Sequence, residues 1–243
     1  MDGRLDHSTI RKGIGIAIMG AVALLITLVA VVPAVSRGPT AALYALFDVL
    51  AVAYTVPPLK FSYRSLGELD GALTHSVGAI LAGYVAQGDI WTDSVPWLLS
   101  PPLSLAILPS ILLAGCPDRD ADQAAGKRTL VVMLGKRAAI RLAMGACLAA
   151  PALAAMMSMT SEDMAALLSW SAAGGAVHAA WQWRRLQGLV AEDIPERIDG
   201  PIGLALTFIL WFCVPPLVVL TIASGAQKCI GLPRDASELM QLS

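Results

Sequence analysis

Three carboxylates fall within the five residues Asp118-Arg-Asp-Ala-Asp122, and a Lys127-Arg128 pair follows them. If the apolar helix before them runs on through Pro117, Asp118 and Asp122 project from one face about a turn apart. Two carboxylates so placed repel each other unless a cation lies between them. Hard oxygen ligands suit Mg²⁺, which is commonly held by one or two carboxylates together with substrate phosphates. Lys127 and Arg128 would then offer positive charge to a diphosphate. The same residues also fit a plainer reading, a solvated charged loop closed by its own ion pairs.

A second charged stretch, YTVPPLKFSYRSLGE, runs from Tyr54 to Glu68. Its adjacent prolines stop a helix, leaving Lys60, Tyr63 and Arg64 at the boundary as donors to a phosphate or another anion. The alternative is that Lys60 and Arg64 snorkel to lipid headgroups while Tyr63 anchors the interface.

The elements that must hold these loops are apolar. Of 243 residues, 56% are hydrophobic and 14% charged, with a mean hydropathy of +0.68, so an integral membrane protein is expected rather than a soluble domain. Seven segments are long enough to span a bilayer as helices, at about 13–33, 40–59, 71–87, 96–116, 138–157, 163–183 and 202–223. The fold class is therefore all-α, a polytopic membrane helix bundle. Residues 1–12 precede the bundle at 13–223, and a polar tail occupies 224–243. Pro101, Pro102 and Pro109 imply a bend in the fourth segment. The run Ala172-Ala-Gly-Gly-Ala176 lets backbones approach closely.

Basic residues are retained on the cytoplasmic side of a membrane. Alternate loops divide the 17 Lys and Arg 14 to 3, which puts every charged loop in the cytoplasm and the C-terminus outside. A net charge of -1 gives no basic field for nucleic acid, and no nucleic-acid partner is expected. The four cysteines show no CxxC spacing and read as small buried hydrophobes. His75 and His178 read as hydrogen-bonded core residues, and Trp91, Trp97, Trp181 and Trp183 as interfacial anchors. Asp48, in mid-segment, is either functional or else protonated or paired inside the bundle.

YTVPPLKFSYRSLGE and PDRDADQAAGKRTLVVMLG together resemble two cytoplasmic connections of the UbiA superfamily of membrane prenyltransferases. They occur in the family's order, with one hairpin of helices between them. Family members have nine membrane helices and two Asp-rich motifs, and counting from the C-terminus this chain matches helices three to nine. The resemblance thus implies a bundle lacking the first two helices, through a late start or an incomplete reading frame. Met1-Asp-Gly-Arg-Leu5 resembles the tail of the first Asp-rich motif, with Asp2 as its last aspartate.

What the resemblance implies is specific. Asp118, Asp122 and Asp2 would be metal ligands for Mg²⁺, with Asp120 supporting them, and Asp118, Asp122, Lys60 and Arg64 would be catalytic. Lys127, Arg128, Lys60 and Arg64 would bind the diphosphate of a polyprenyl diphosphate, and Tyr63 and Glu68 would lie near an aromatic acceptor. Metal and cations would stabilise the leaving diphosphate while the allylic C–O bond ionises. Both loops look most like the branch that prenylates 1,4-dihydroxy-2-naphthoate in menaquinone synthesis. The site would face the cytoplasm from the inner membrane. Two other classes stay open: an inactive or partner-dependent fragment of such an enzyme, and a cation-binding transporter, for which no inverted repeat is found.

Overall fold

A computed structural model describes residues 6–88, 91–191 and 198–230. The first helix, α1 (His7–Val31), starts at Asp6, whose carboxylate accepts the Thr9 N–H at 2.7 Å. Such a cap satisfies one of the amides that a helix start leaves orphaned. Helix α2 (Arg37–Ala53) follows and leads into the first charged loop. Helix α3 (Gly67–Leu73), a π turn over Thr74–Gly78 and α4 (Ala79–Ala86) succeed one another without a break, so the third expected span is one helical rod with a bulge.

Helix α5 (Ser94–Ala124) is the axis of the bundle and runs through Pro101, Pro102, Pro109 and Pro117. It packs against α3, the π turn, α7 (Lys136–Ser158) and α9 (Asp199–Ile230), while α8 (Glu162–Ala191) lies between α7 and α9. A one-turn helix, α6 (Leu130–Leu134), is capped by Thr129 and ended by Gly135 at φ 81°. The described residues form no strand, and each of the seven expected spans contains helix, although the one expected at 40–59 stops at Ala53, ahead of Pro57 and Pro58, which cannot continue it. Four of them, on α1, α5, α7 and α9, are by length and composition apolar enough to cross a membrane. The protein is a membrane helix bundle.

Its core forms two contiguous groups. One joins Leu103, Ala106, Cys147, Ala150 and Phe208, and the other joins Leu112, Leu113, Val131, Ile140 and Leu186. Without water in the bilayer to drive apolar association, helices hold together by close packing of small residues. Gly174 shows this directly, because a Cβ there would overlap the Trp211 ring, and Gly175 meets Phe212 and Pro151. His178 bonds across the same seam, accepting from Trp211 Nε1 at 3.2 Å and donating to the Leu204 carbonyl at 3.0 Å. That histidine is hydrogen-bonded between helices, as expected.

Three expectations need correction. Cys116 and Cys147 are buried, but Cys213 is exposed because it falls on the outward face of α9. Asp48 does not enter the bundle interior; it is exposed on α2, beside Val52, Pro57 and Pro58. His75 is not a core residue but is exposed, although its ring is hydrogen-bonded.

Candidate active site

The first charged loop is a compact unit. Ser62 donates to the Tyr54 carbonyl through both its backbone N–H and its hydroxyl, at 3.0 and 2.8 Å. Pro57–Pro58 is cis, and Lys60 and Ser65 adopt positive φ, of 49° and 61°. Left-handed backbone at non-glycine residues is uncommon and clusters at functional sites. Lys60 Nζ stands 4.9 Å from the Tyr63 ring centroid, a cation–π distance, and Arg64 donates to the Pro58 carbonyl at 2.9 Å. The loop thus presents its cations from a braced frame.

The second charged loop begins on a helix. Because α5 continues to Ala124, Asp118 and Asp122 do share a face, about one turn apart. Asp118 is exposed and has no hydrogen-bond or ion-pair partner among the described residues. Asp120 is paired with Arg119 at 2.8 Å and is 76% exposed, so it leans away from the other two. Asp122 accepts from Lys127 at 2.7 Å. That hydrogen bond holds the Lys127 ammonium above the usual lysine range, so it stays charged. Arg128 is exposed.

Two bonds clasp the loops together. The Arg128 N–H donates to the Ser62 carbonyl at 3.1 Å, and the Leu130 N–H donates to Glu68 Oε1 at 2.6 Å. Glu68 is 5% exposed and its other oxygen has no partner, so its visible work is to tether α6 to the start of α3. Tyr54 and Tyr63 both lie close enough to Lys127 to interact with it electrostatically. The clasp therefore gathers Lys60, Tyr63, Arg64, Lys127 and Arg128 at the end of the bundle where α5 carries its aspartates. Asp2 lies outside the described residues.

Directly beneath the clasp opens a pocket of about 750 Å³, lined mostly by apolar surface from α2, α3, α4 and Ile111 of α5. Tyr54 and Gly67 border it near the loops, and Tyr44, Phe47, Asp70 and His75 line its walls. A concave apolar hollow with a few convergent polar groups is the usual form of a small-molecule site. Sequence reasoning missed Asp70 and set His75 aside. The signal was present in their spacing, since Gly67, Asp70, Gly71 and Thr74 lie on one helical face.

Among the described residues no group of three or more Asp, Glu, His or Cys side chains converges as a metal cage. The donor set on α5 is instead a pair of hard carboxylates beside cations, which is what Mg²⁺ takes when substrate phosphates complete its shell. The residues present fit such an ion as part of a ligand-completed site.

No curated protein and no solved structure is similar enough to the chain to count as a match. A family model, described as the UbiA prenyltransferase family, matches residues 11–197, a span that includes both charged loops, the pocket and α8. With most of its length matched, and with the helical bundle and loop motifs that the sequence led one to expect, this chain belongs to the UbiA prenyltransferase family.

Proposed function

We propose that this protein transfers an isoprenyl group from an allylic polyprenyl diphosphate to an aromatic quinone precursor resembling 1,4-dihydroxy-2-naphthoate. The observation that carries the reading is the clasp: two loops, tied by Arg128 to Ser62 and Leu130 to Glu68, concentrate four cations above an apolar pocket. A polyprenyl diphosphate has the matching polarity, with an anionic head and an apolar body.

In this reading Lys60, Arg64, Lys127 and Arg128 bind the diphosphate, and Tyr63 steadies Lys60 from beneath. Lys127 exchanges part of its bond with Asp122 for phosphate oxygens. Asp118 and Asp122 are the residues that would hold Mg²⁺, with Asp2 as a third ligand. Bound there, the ion would neutralise charge that develops on the leaving diphosphate. Fixed cations aimed at that same charge lower the barrier for heterolysis of the allylic C–O bond, whose electron pair leaves with diphosphate. The apolar pocket keeps water from the resulting allylic cation until an aromatic ring attacks it. Tyr63 and Glu68 stand at the acceptor end, Glu68 through its hold on α6.

The protein would lie in the cytoplasmic membrane, with the clasp facing the cytoplasm and the C-terminus outside; the 14 to 3 division of basic residues supports that orientation. A cysteine introduced as Gln123→Cys should react with an impermeant reagent only from the cytoplasmic side. Labelling from outside intact cells would reverse the orientation. To test the activity, the full chain is reconstituted in lipid with all-trans polyprenyl diphosphates and 1,4-dihydroxy-2-naphthoate, 4-hydroxybenzoate or homogentisate, with and without Mg²⁺. Mass spectrometry should find a prenylated naphthoate product only with Mg²⁺. Product from another acceptor would reassign the substrate, and product from none would sink the reading.

A further inference from the structure

We infer that His75 is the base that takes the phenolic proton of the aromatic acceptor during prenyl transfer; this rests on the function proposed above. The π turn at Thr74–Gly78 inserts one residue into the α3–α4 rod, with the Ala79 N–H reaching back to the Thr74 carbonyl. Gly71, Thr74 and His75 line the pocket ahead of Ala79 and Ala82 on the same rod. Single π turns inside helices are uncommon and recur at functional sites. His75 stands within this turn on the pocket wall, about 12 Å along the helix from Gly67 at a rise of about 1.5 Å per residue.

The tautomer of His75 follows from its hydrogen bonds. Its Nδ1 lies 2.8 Å from the Gly71 carbonyl, which can only accept, so Nδ1 carries the hydrogen. The Thr74 hydroxyl, 3.2 Å from the same nitrogen, donates its own hydrogen to the Asp70 carbonyl at 2.7 Å and so also accepts from Nδ1. In the neutral ring Nε2 is left with a free lone pair, and no described residue occupies it. A histidine held this way is ready to accept a proton rather than to give one.

A carboxylate, Asp70, lines the same wall of the pocket as His75. The ionisable groups facing the pocket from the opposite side are Tyr44 of α2 and Tyr54 just after it, and from α5 the lining residue is Ile111, which has no charge. Among the described residues no lysine or arginine lines the pocket.

The step balances. The allylic C–O bond breaks and its electron pair leaves with diphosphate. An aromatic π pair forms the new C–C bond to the allylic carbon. The phenolic O–H pair becomes the C=O bond of a neutral dienone, and the proton passes to His75 Nε2.

The test uses the full chain in lipid, with a polyprenyl diphosphate, 1,4-dihydroxy-2-naphthoate and Mg²⁺, comparing wild type with His75→Gln and His75→Ala. Both variants should lose about 100-fold or more in kcat, the range of a positioned general base. The donor KM should be unchanged, the wild-type rate should fall toward acid pH while the variants' rates should not, and added imidazole should restore part of the His75→Ala rate. Wild-type transfer with His75→Gln within about 2-fold, or with the acid limb intact, would overturn the role of His75 and leave the transferase standing. Absence of transfer to any aromatic acceptor by wild type would overturn both.

Discussion

Where α8 meets α9, glycine lets a tryptophan ring lie on the backbone; where α2 meets α3 and α4, the helices stand apart around about 750 Å³ of open pocket. The first seam is filled, with Ala179 of α8 and Phe208 of α9 fully buried. The second keeps its polar groups, Tyr54, Asp70, Thr74 and His75, facing the pocket. In lipid the two arrangements have different energetic meanings. Close packing of small residues is what holds membrane helices together, so space left unfilled signals a surface kept for something else. Stability and chemistry should therefore separate along this line, and substitutions can test whether they do.

The largest effect should come from the end of α5 above the pocket. Asp118→Ala or Asp122→Ala is expected to reduce Mg²⁺-dependent turnover by at least about 100-fold, as loss of a charge-stabilising group at a reacting centre does. Membrane insertion and thermal midpoint should stay near wild type, because Asp118 is exposed and Asp122 loses only an ion pair. Turnover equal to wild type would remove both carboxylates from the metal assignment.

At the packed seam the pattern should reverse. Gly174→Leu forces the Trp211 ring and its bond to His178 to move, and overpacking of this kind costs about 1–3 kcal/mol. A lowered thermal midpoint with near-normal turnover per folded molecule is expected. An unchanged midpoint would mean that the seam is looser than its contacts suggest.

Glu68 joins the two regimes, and its effect should be intermediate. Glu68→Ala strands the Leu130 amide at a cost of about 1–3 kcal/mol and frees α6. Both the midpoint and the turnover should fall, while Glu68→Gln, whose amide oxygen still accepts, should recover much of each. Loss of stability alone would separate the clasp from catalysis.

The smallest effect belongs to the Lys127–Asp122 pair. Its lysine is 32% exposed on the side chain, and a double-mutant cycle should return about 0.2–1 kcal/mol. Because Lys127 is raised in the folded protein, that contribution is fully present below the ordinary lysine value near 10.4 and fades as pH climbs through the raised one. A coupling that grew with alkaline pH would contradict the assigned hydrogen bond. High salt should weaken it.

Composition misleads in one further comparison. Helix α1 is the most apolar span, yet none of its apolar window is buried, while the less apolar window of α5 is more than half buried. Lipid and protein interior are both apolar, so hydropathy finds the helices and cannot say which one is central. The proline-rich α5 occupies the axis, where neighbours surround it on several sides.

Much was legible in the sequence by itself. The apolar runs determined the helices, since backbone groups in lipid must satisfy one another within a helix. The i, i+4 spacing determined that Asp118 and Asp122 share a face, and the glycine pair in α8 determined a close helix contact. Tertiary structure alone decided the rest. Nothing local ties Glu68 to Leu130 or Ser62 to Arg128, because these bonds join residues far apart in the chain. Nor does local sequence announce the π turn: Thr74–Gly78 would read as ordinary helix, and the turn is found where the rod packs on α5, with Ser76 bonded to Ser104. The exposure of His75 is likewise tertiary, since a helix remembers only its own periodicity and the neighbours decide which face is left open.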